Sequence, residues 1–315
     1  MITTPDAGLA ALIVSPLASR IREPAPRRRV TASAIAALRA RGHGQVDVLE
    51  TGEPGAIREA VASAIARGAT TVVVAGGDGT VRDAAGTLAG TGVAMGIVPA
   101  GAGNLYASAI GLPRRLEDAV ALLAVAEARP FDIGMVTLDG DGAPVGPTPF
   151  VVACGTGFDA RVISATSRES KRRYGYAAYF VSASRLLRHL EPMPTVLTID
   201  DVRTELESMV VLVVNTGEAL PGMLRPRLPT APDDGLLHVF VLPRGGILGG
   251  TLGVLEHMAA DAAGTSASGA AIRLRGTHVR VEMDPPSPTE VDGDAFPAAS
   301  LDARILPGAL RVIRG

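Results

Sequence analysis

Thr71-Val72-Val73-Val74-Ala75-Gly76-Gly77-Asp78-Gly79-Thr80 holds the decisive change of pattern in this sequence. A β-rich apolar run enters three glycines, and Val81, Ala85 and Leu88 then recur at helical spacing. A buried strand therefore passes through a tight turn into a helix. Glycine lets the backbone turn sharply and approach a ligand with no Cβ in the way. The helix start adds unpaired N–H groups and a positive dipole end, which suit phosphate. Asp78 is out of place there unless a cation such as Mg²⁺ lies between its carboxylate and the phosphates. A Gly-rich turn alone is often an ordinary tight turn, but the whole Gly-Gly-Asp-Gly-Thr string is more specific.

The same alternation extends outward in both directions. Ala10 to Val14, Val46 to Leu49 and Met95 to Val98 read as short strands. Helical segments fall near Thr31 to Ala40 and over Ile57, Val61 and Ile65, the latter stopped by Gly68. The order β-α-β-α predicts a parallel sheet with helices on its faces. A second glycine cluster, Pro99-Ala100-Gly101-Ala102-Gly103-Asn104-Leu105, follows the Met95 strand. Two such turns after neighbouring parallel strands lie side by side at the carboxyl edge of the sheet, the usual ligand crevice.

The character changes after Pro130. Asp132 to Leu138, Pro149 to Ala153, Leu236 to Leu242, Ala271 to Met283 and Leu310 to Ile313 read as strands. Thr195 to Ile199 and Met209 to Val214 form a hairpin around Asp200-Asp201. Tyr174 to His189 and Ile247 to Ala259 are the expected helices. The fold class is thus α/β plus β: a doubly wound α/β domain over 1–130 and a mainly β, sandwich-like domain over 131–304.

Composition narrows the function. Hydrophobic residues are 47% and charged residues 20%, so a substantial core is expected. A net charge of −2 argues against nucleic acid as partner. The single cysteine, Cys154, excludes an intramolecular disulfide and is read as a small buried residue. The apolar stretch Gly8 to Val14 lacks a basic leader and is read as a strand, not a signal peptide. No apolar run is long enough to span a bilayer. A cytoplasmic protein that touches membranes only transiently and peripherally is expected. Arg27-Arg28-Arg29 and Lys171-Arg172-Arg173 are candidate contacts for anionic headgroups, although such runs are commonly just solvated faces. Oligomeric state is not legible, which leaves a homodimer open.

Taken together, these blocks resemble the diacylglycerol kinase catalytic-domain family, which includes bacterial lipid kinases and sphingosine kinases. Besides the two glycine clusters, Phe131-Asp132-Ile133-Gly134, Cys154-Gly155-Thr156-Gly157-Phe158-Asp159, Tyr174-Gly175-Tyr176 with Tyr179, Asn215-Thr216-Gly217, Asp233-Asp234-Gly235-Leu236 and Asp292-Gly293-Asp294 are similar to family segments in order and spacing. The resemblance implies an α/β nucleotide domain and a β-sandwich, with the active site in the cleft between them and the last strand (near 305–315) returning to the first domain. It implies ATP and Mg²⁺ as cofactors and a lipid as substrate. For ATP contacts it points to Ser15, Thr51, Gly76, Gly77, Asp78, Gly79, Thr80, Gly101, Ala102, Gly103 and Asn104. For a structural metal it points to the Asp234 side chain with the carbonyls of Ala231 and Leu236. Ala102 departs from the family's threonine, and Asp294 from its glutamate.

Phosphoryl transfer needs positioning, charge neutralisation and a group to take the hydroxyl proton. Asp78, Asp292 and Asp294 are the catalytic candidates, with Asp292 and Asp294 both open as the base. An Asp-Gly-Asp string is equally a hairpin signal, and so is Asp-Asp-Gly at 233–235. The expected activity is transfer of the ATP γ-phosphate to a hydroxyl of a diacylglycerol-like or sphingoid-like lipid. One alternative is an NAD kinase or other small-molecule kinase with the same glycine string. The Thr-Pro-x-Gly-Ser-Thr segment of NAD kinases is missing from the second half. The other is a non-catalytic nucleotide- or lipid-binding regulator, which the presence of all three carboxylates disfavours.

Overall fold

The computed structural model describes residues 8–53, 55–143, 146–157, 192–216, 230–243 and 272–315. The helices expected over Tyr174 to His189 and Ile247 to Ala259, the basic run Lys171 to Arg173, and Phe158, Asp159 and Gly217 lie outside these residues. The chain divides into two compact units, Met1–Ile133 with Pro307–Gly315, and Gly134–Leu306.

In the first unit, strands β1 (Leu9–Val14), β2 (Gln45–Glu50), β3 (Ala69–Gly76) and β4 (Ala94–Pro99) pair in parallel in the order β2-β1-β3-β4. Helix α1 (Pro24–Ala40) begins seven residues before the expected Thr31. Its opening turns, Pro-Ala-Pro-Arg-Arg-Arg, carry no apolar periodicity. Proline at the first helical positions, where no intrahelical N–H is needed, starts it instead. Helices α2 (Ala56–Ala66) and α3 (Asp78–Leu88) follow β2 and β3. The short α4 (Leu105–Ala109) and an unanticipated α5 (Leu116–Val125) follow β4.

Ala10, Leu12, Val14, Val73, Ala75 and Val98 form one core face with Ala34 and Leu38 of α1 and Val120 and Leu123 of α5. The alternate residues Ala11, Ile13, Val72 and Val74 are equally inaccessible. Helices α2 and α3 pack on the sheet as well. A strand buried on both faces reads as a continuous apolar run, which is why Thr71 to Ala75 was legible. Each buried valine there contributes about 1.5–3 kcal/mol relative to exposure.

Strand β5 (Ala128–Asp139) runs from the first unit into the second, and β15 (Ser300–Ile313) runs back. Arg311 and Val312 of β15 pair in parallel with Ala94 and Met95 of β4. Asp132 holds this return by accepting the Gly308 N–H at 2.7 Å.

The second unit is antiparallel. It contains β6 (Thr148–Phe150), β7 (Ala153–Thr156), β8 (Met193–Ile199), β9 (Val202–Val214), β10 (Leu237–Pro243), β11 (Ile272–Gly276), β12 (His278–Met283), β13 (Pro288–Val291) and β14 (Asp294–Ala298). Neighbours run β14-β13-β7-β9-β8-β12-β15, with β10 on β9 and β11 on β10. Their inward residues, among them Phe150, Cys154, Val211, Val239, Val281 and Val291, form one core. The hairpin around Asp200-Asp201 is present, both turn residues having positive φ.

The single strand expected over Ala271 to Met283 is two strands instead. Asp200 accepts the Thr277 and His278 N–H groups at 2.9 and 3.0 Å and so interrupts the ladder at Thr277. Strand β11 then pairs with β10, and β12 with β8 and β15.

Candidate functional site

The expected nucleotide contacts gather at one edge of the parallel sheet. Ser15 follows β1, Thr51 follows β2, Gly76 to Thr80 close β3 and open α3, and Gly101 to Asn104 follow β4. From β1 the chain steps to β2 on one side and, further on, to β3 and β4 on the other. The crevice beyond the carboxyl ends at such a reversal is where open α/β sheets bind ligands. The loops are fastened to it: Ser15 N–H reaches Ala75 O at 2.9 Å, and Thr51 N–H reaches Val14 O at 3.0 Å.

The two glycine loops touch through their backbones. A Cβ on Gly101 would lie 2.5 Å from the Gly77 Cα, and one on Gly76 would lie 2.5 Å from the Thr80 side chain. Neither position admits any residue but glycine without moving the chain. By contrast, a Cβ on Gly79 would meet nothing within 4 Å. That glycine faces open space at the start of α3, where a phosphate would approach the amides.

Asp78 ties the loops together. Its Oδ2 accepts the Asn104 N–H at 2.9 Å, and its Oδ1 accepts the Leu105 N–H. Asn104, at φ 54°, closes its own loop by accepting from Gly101 N–H at 2.9 Å and donating Nδ2 to Gly101 O at 2.8 Å. Burial raises the Asp78 carboxyl above its usual range, and backbone hydrogen bonds, those from Leu105 and Asn104 first, pull it back in part. The tie explains a carboxylate among phosphate-binding glycines without any cation.

Sequence reasoning missed Arg20. Its guanidinium Nη1 donates to Pro99 O at 3.0 Å and Arg114 O at 2.7 Å. With Arg114 it lines a cavity of about 270 Å³ against Gly101, Ala102, Gly103 and Asn104. The one signal available was a basic residue just beyond the turn that follows β1. Ala102 lies exposed at this cavity and offers no hydroxyl. Arg27, from the basic run, is committed to the fold through Glu50 at 3.2 Å, whereas Arg28 and Arg29 are exposed.

In the second unit, Asp292-Gly293 is the hairpin turn between β13 and β14. Val291 pairs with Asp294 across it, and Asp292 and Gly293 take φ of 48° and 83°. Positive φ at both central residues marks a type I′ turn, which Asp-Gly favours. The Asp292 carboxylate reaches back along the chain: Oδ2 accepts Val151 N–H at 2.8 Å, and Oδ1 accepts Val152 and Ala153 N–H at 2.9 and 3.0 Å. It is therefore a clamp on the bend between β6 and β7. Asp294 lies exposed at the start of β14. Cys154, behind the turn, is fully buried, and burial with Glu290 and Asp292 nearby pushes its thiol well up, so it is no nucleophile.

Removing the clamp leaves three amide donors in a buried segment without an acceptor. Each such loss costs about 1–3 kcal/mol, so Asp292→Ala is expected to destabilise the second unit by about 3 kcal/mol or more. Urea unfolding checks this, and an unchanged midpoint would show that the clamp contributes nothing.

Asp234 is likewise engaged. Its Oδ1 accepts the Leu236 N–H at 3.0 Å, and its Oδ2 lies 2.9 Å from His238 Nε2. Among the described residues no three His, Cys, Asp or Glu side chains converge to hold a metal. A cation at Asp234 would thus depend on carbonyls such as those of Ala231 and Leu236 and on water, and would compete with two N–H donors. No described helix is long and apolar enough to cross a membrane.

Comparison with known proteins places these elements. Residues 17–136 match the diacylglycerol kinase catalytic domain, and residues 152–314 match the YegS C-terminal NAD kinase beta sandwich-like domain. A Pseudomonas aeruginosa protein named "Probable lipid kinase YegS-like" is 34% identical over 211 residues, covering 66% of this chain and 64% of that protein. The match therefore spans somewhat less than two thirds of that relative's length. A solved structure named "A putative diacylglycerol kinase from Bacillus anthracis str. Sterne" shares the fold at TM-score 0.76, with 22% identity and 97% of each chain covered. Yeast NADH kinase, solved with NADH, is more distant: TM-score 0.52 and 12% identity over 96% of this chain and 82% of that one.

Proposed function

This chain belongs to the diacylglycerol kinase catalytic-domain family, with a YegS-type β-sandwich as its second half, and on that premise we propose that it is an ATP-dependent lipid kinase. The acceptor is a hydroxyl on a diacylglycerol-like or sphingoid-like lipid. The observation that carries the reading is the pair of glycine loops held in backbone contact by Asp78 at the reversal point of a parallel sheet.

The residues divide the work as phosphoryl transfer requires. Backbone amides near Gly77, Gly79 and Gly103 cradle the phosphates, and Arg20 adds positive charge beside them. Ser15 and Thr51 border the nucleotide. Mg²⁺ bound with ATP would supply charge neutralisation at the phosphates, with Asp78 the carboxylate beside the glycine loops that would face it. Asp294 takes the proton of the attacking hydroxyl, because the Asp292 carboxylate is turned back onto the amides of residues 151–153 and held there by three hydrogen bonds, while Asp294 is exposed. Asp234 serves the turn at 233–236, and a cation held there with the carbonyls of Ala231 and Leu236 would show as magnesium-dependent stability.

The acceptor lies in a bilayer, so the protein must visit one. Exposed Arg28 and Arg29 fit an anionic surface. With ATP and diacylglycerol-bearing vesicles, a phosphorylated lipid is expected. The rate should rise with the anionic lipid fraction and fall again with added salt. Phosphorylation of NAD in place of lipid would instead favour the NAD kinase reading. Consumption of neither would leave a binding regulator.

A further inference from the structure

The turn that presents Asp294 is secured by one more side chain, on the neighbouring strand. Glu290 lies on β13, between β7 and β14, where it pairs with Gly155 on one side and Ala295 on the other. Its neighbours Thr289 and Val291 are fully buried, while Glu290 itself is half-buried on the opposite face. A two-residue turn has two central amides that the ladder does not use. The Asp292 N–H donates to Ala153 O at 2.8 Å. The Gly293 N–H donates to Glu290 Oε2 at 2.9 Å. The turn is thus held by the Asp292 carboxylate from one side and by the Glu290 carboxylate from the other, and Asp294 is the next residue in the chain.

We propose that Glu290 is a positioning residue for Asp294: by accepting the Gly293 N–H it fixes the turn from which the proton acceptor projects. This rests on the reading of Asp294 as that acceptor. An unsecured type I′ turn can rock about its ends, and Asp294 moves with it. The expected cost is kinetic, because a displacement near 1 Å at a reacting group can cost about 10²-fold. The contact needs an oxygen acceptor and not a charge, so glutamine suffices.

The test compares kcat, the KM for ATP and thermal stability across Glu290→Ala, Glu290→Gln and the double variant Glu290→Ala/Asp294→Asn, with the folded fraction fixed by nucleotide-binding stoichiometry. Glu290→Ala is expected to lower kcat about 10- to 10²-fold with the KM for ATP unchanged. Glu290→Gln is expected to restore kcat to near wild type. In the Asp294→Asn background the alanine change should have almost no further effect, because Glu290 acts through Asp294. A Glu290→Ala protein with wild-type kcat overturns the proposal. So does a glutamine variant as slow as alanine, or an undiminished alanine effect when Asp294 is already asparagine. Normal turnover by Asp294→Asn alone overturns the base assignment and this inference with it. That outcome is distinct from a failure of Glu290 only.

Discussion

Asp294→Asn is expected to lower kcat about 10²–10⁴-fold, the usual contribution of a positioned general base, with ATP affinity unchanged. The substitution removes the proton acceptor and leaves the hairpin intact, since the turn is built by Asp292 and Gly293. Asp294→Glu is expected to retain activity or exceed wild type, because the longer side chain shortens the reach to the hydroxyl. Steady-state kinetics with a lipid acceptor, alongside nucleotide titration, separates the two effects. If Asp294→Asn keeps its turnover while a folded Asp292→Asn loses it, the base is Asp292 and the clamp on residues 151–153 is secondary.

The second large effect is expected at Asp78. In Asp78→Asn one side-chain oxygen remains as acceptor, and an NH₂ group confronts the other amide, of Asn104 or Leu105. The two glycine loops then lose their register, and the phosphates lose their cradle. Turnover is expected to fall about 10²-fold or more, with a raised KM for ATP and little change in global melting. Excess magnesium discriminates between the roles of this residue. A tie between loops is not repaired by more Mg²⁺, whereas a carboxylate that only holds the cation is partly compensated. Rescue by magnesium would refute the tie.

How much of this was legible in the sequence follows from the range of the contacts. Strand β3 and its turn were plain, because a strand buried on both faces is written in consecutive residues and its glycines in the next few. The hairpins at Asp200-Asp201 and Asp292-Gly293 were likewise local. Helix α5 was not, since Leu116 to Val125 is apolar on most sides and shows little periodicity. The start of α1 was hidden in prolines and arginines that no apolar stripe marks. The break at Thr277 depends on Asp200, 77 positions away. The roles of the carboxylates likewise depend on partners distant in sequence. Asp292 meets an amide 141 residues away, and Asp78 meets one 27 residues away. The residue types that carry the chemistry were therefore readable, but which carboxylate clamps, which ties and which stays exposed was decided by tertiary structure.

The most direct test of the account is transfer of label from γ-³²P-ATP to a total lipid extract by the purified chain, followed by chromatography of the products. A labelled phospholipid is expected, dependent on Mg²⁺ and nearly lost in both Asp78→Asn and Asp294→Asn. Label that stays in water-soluble products, or a lipid product formed equally well by both variants, would contradict it.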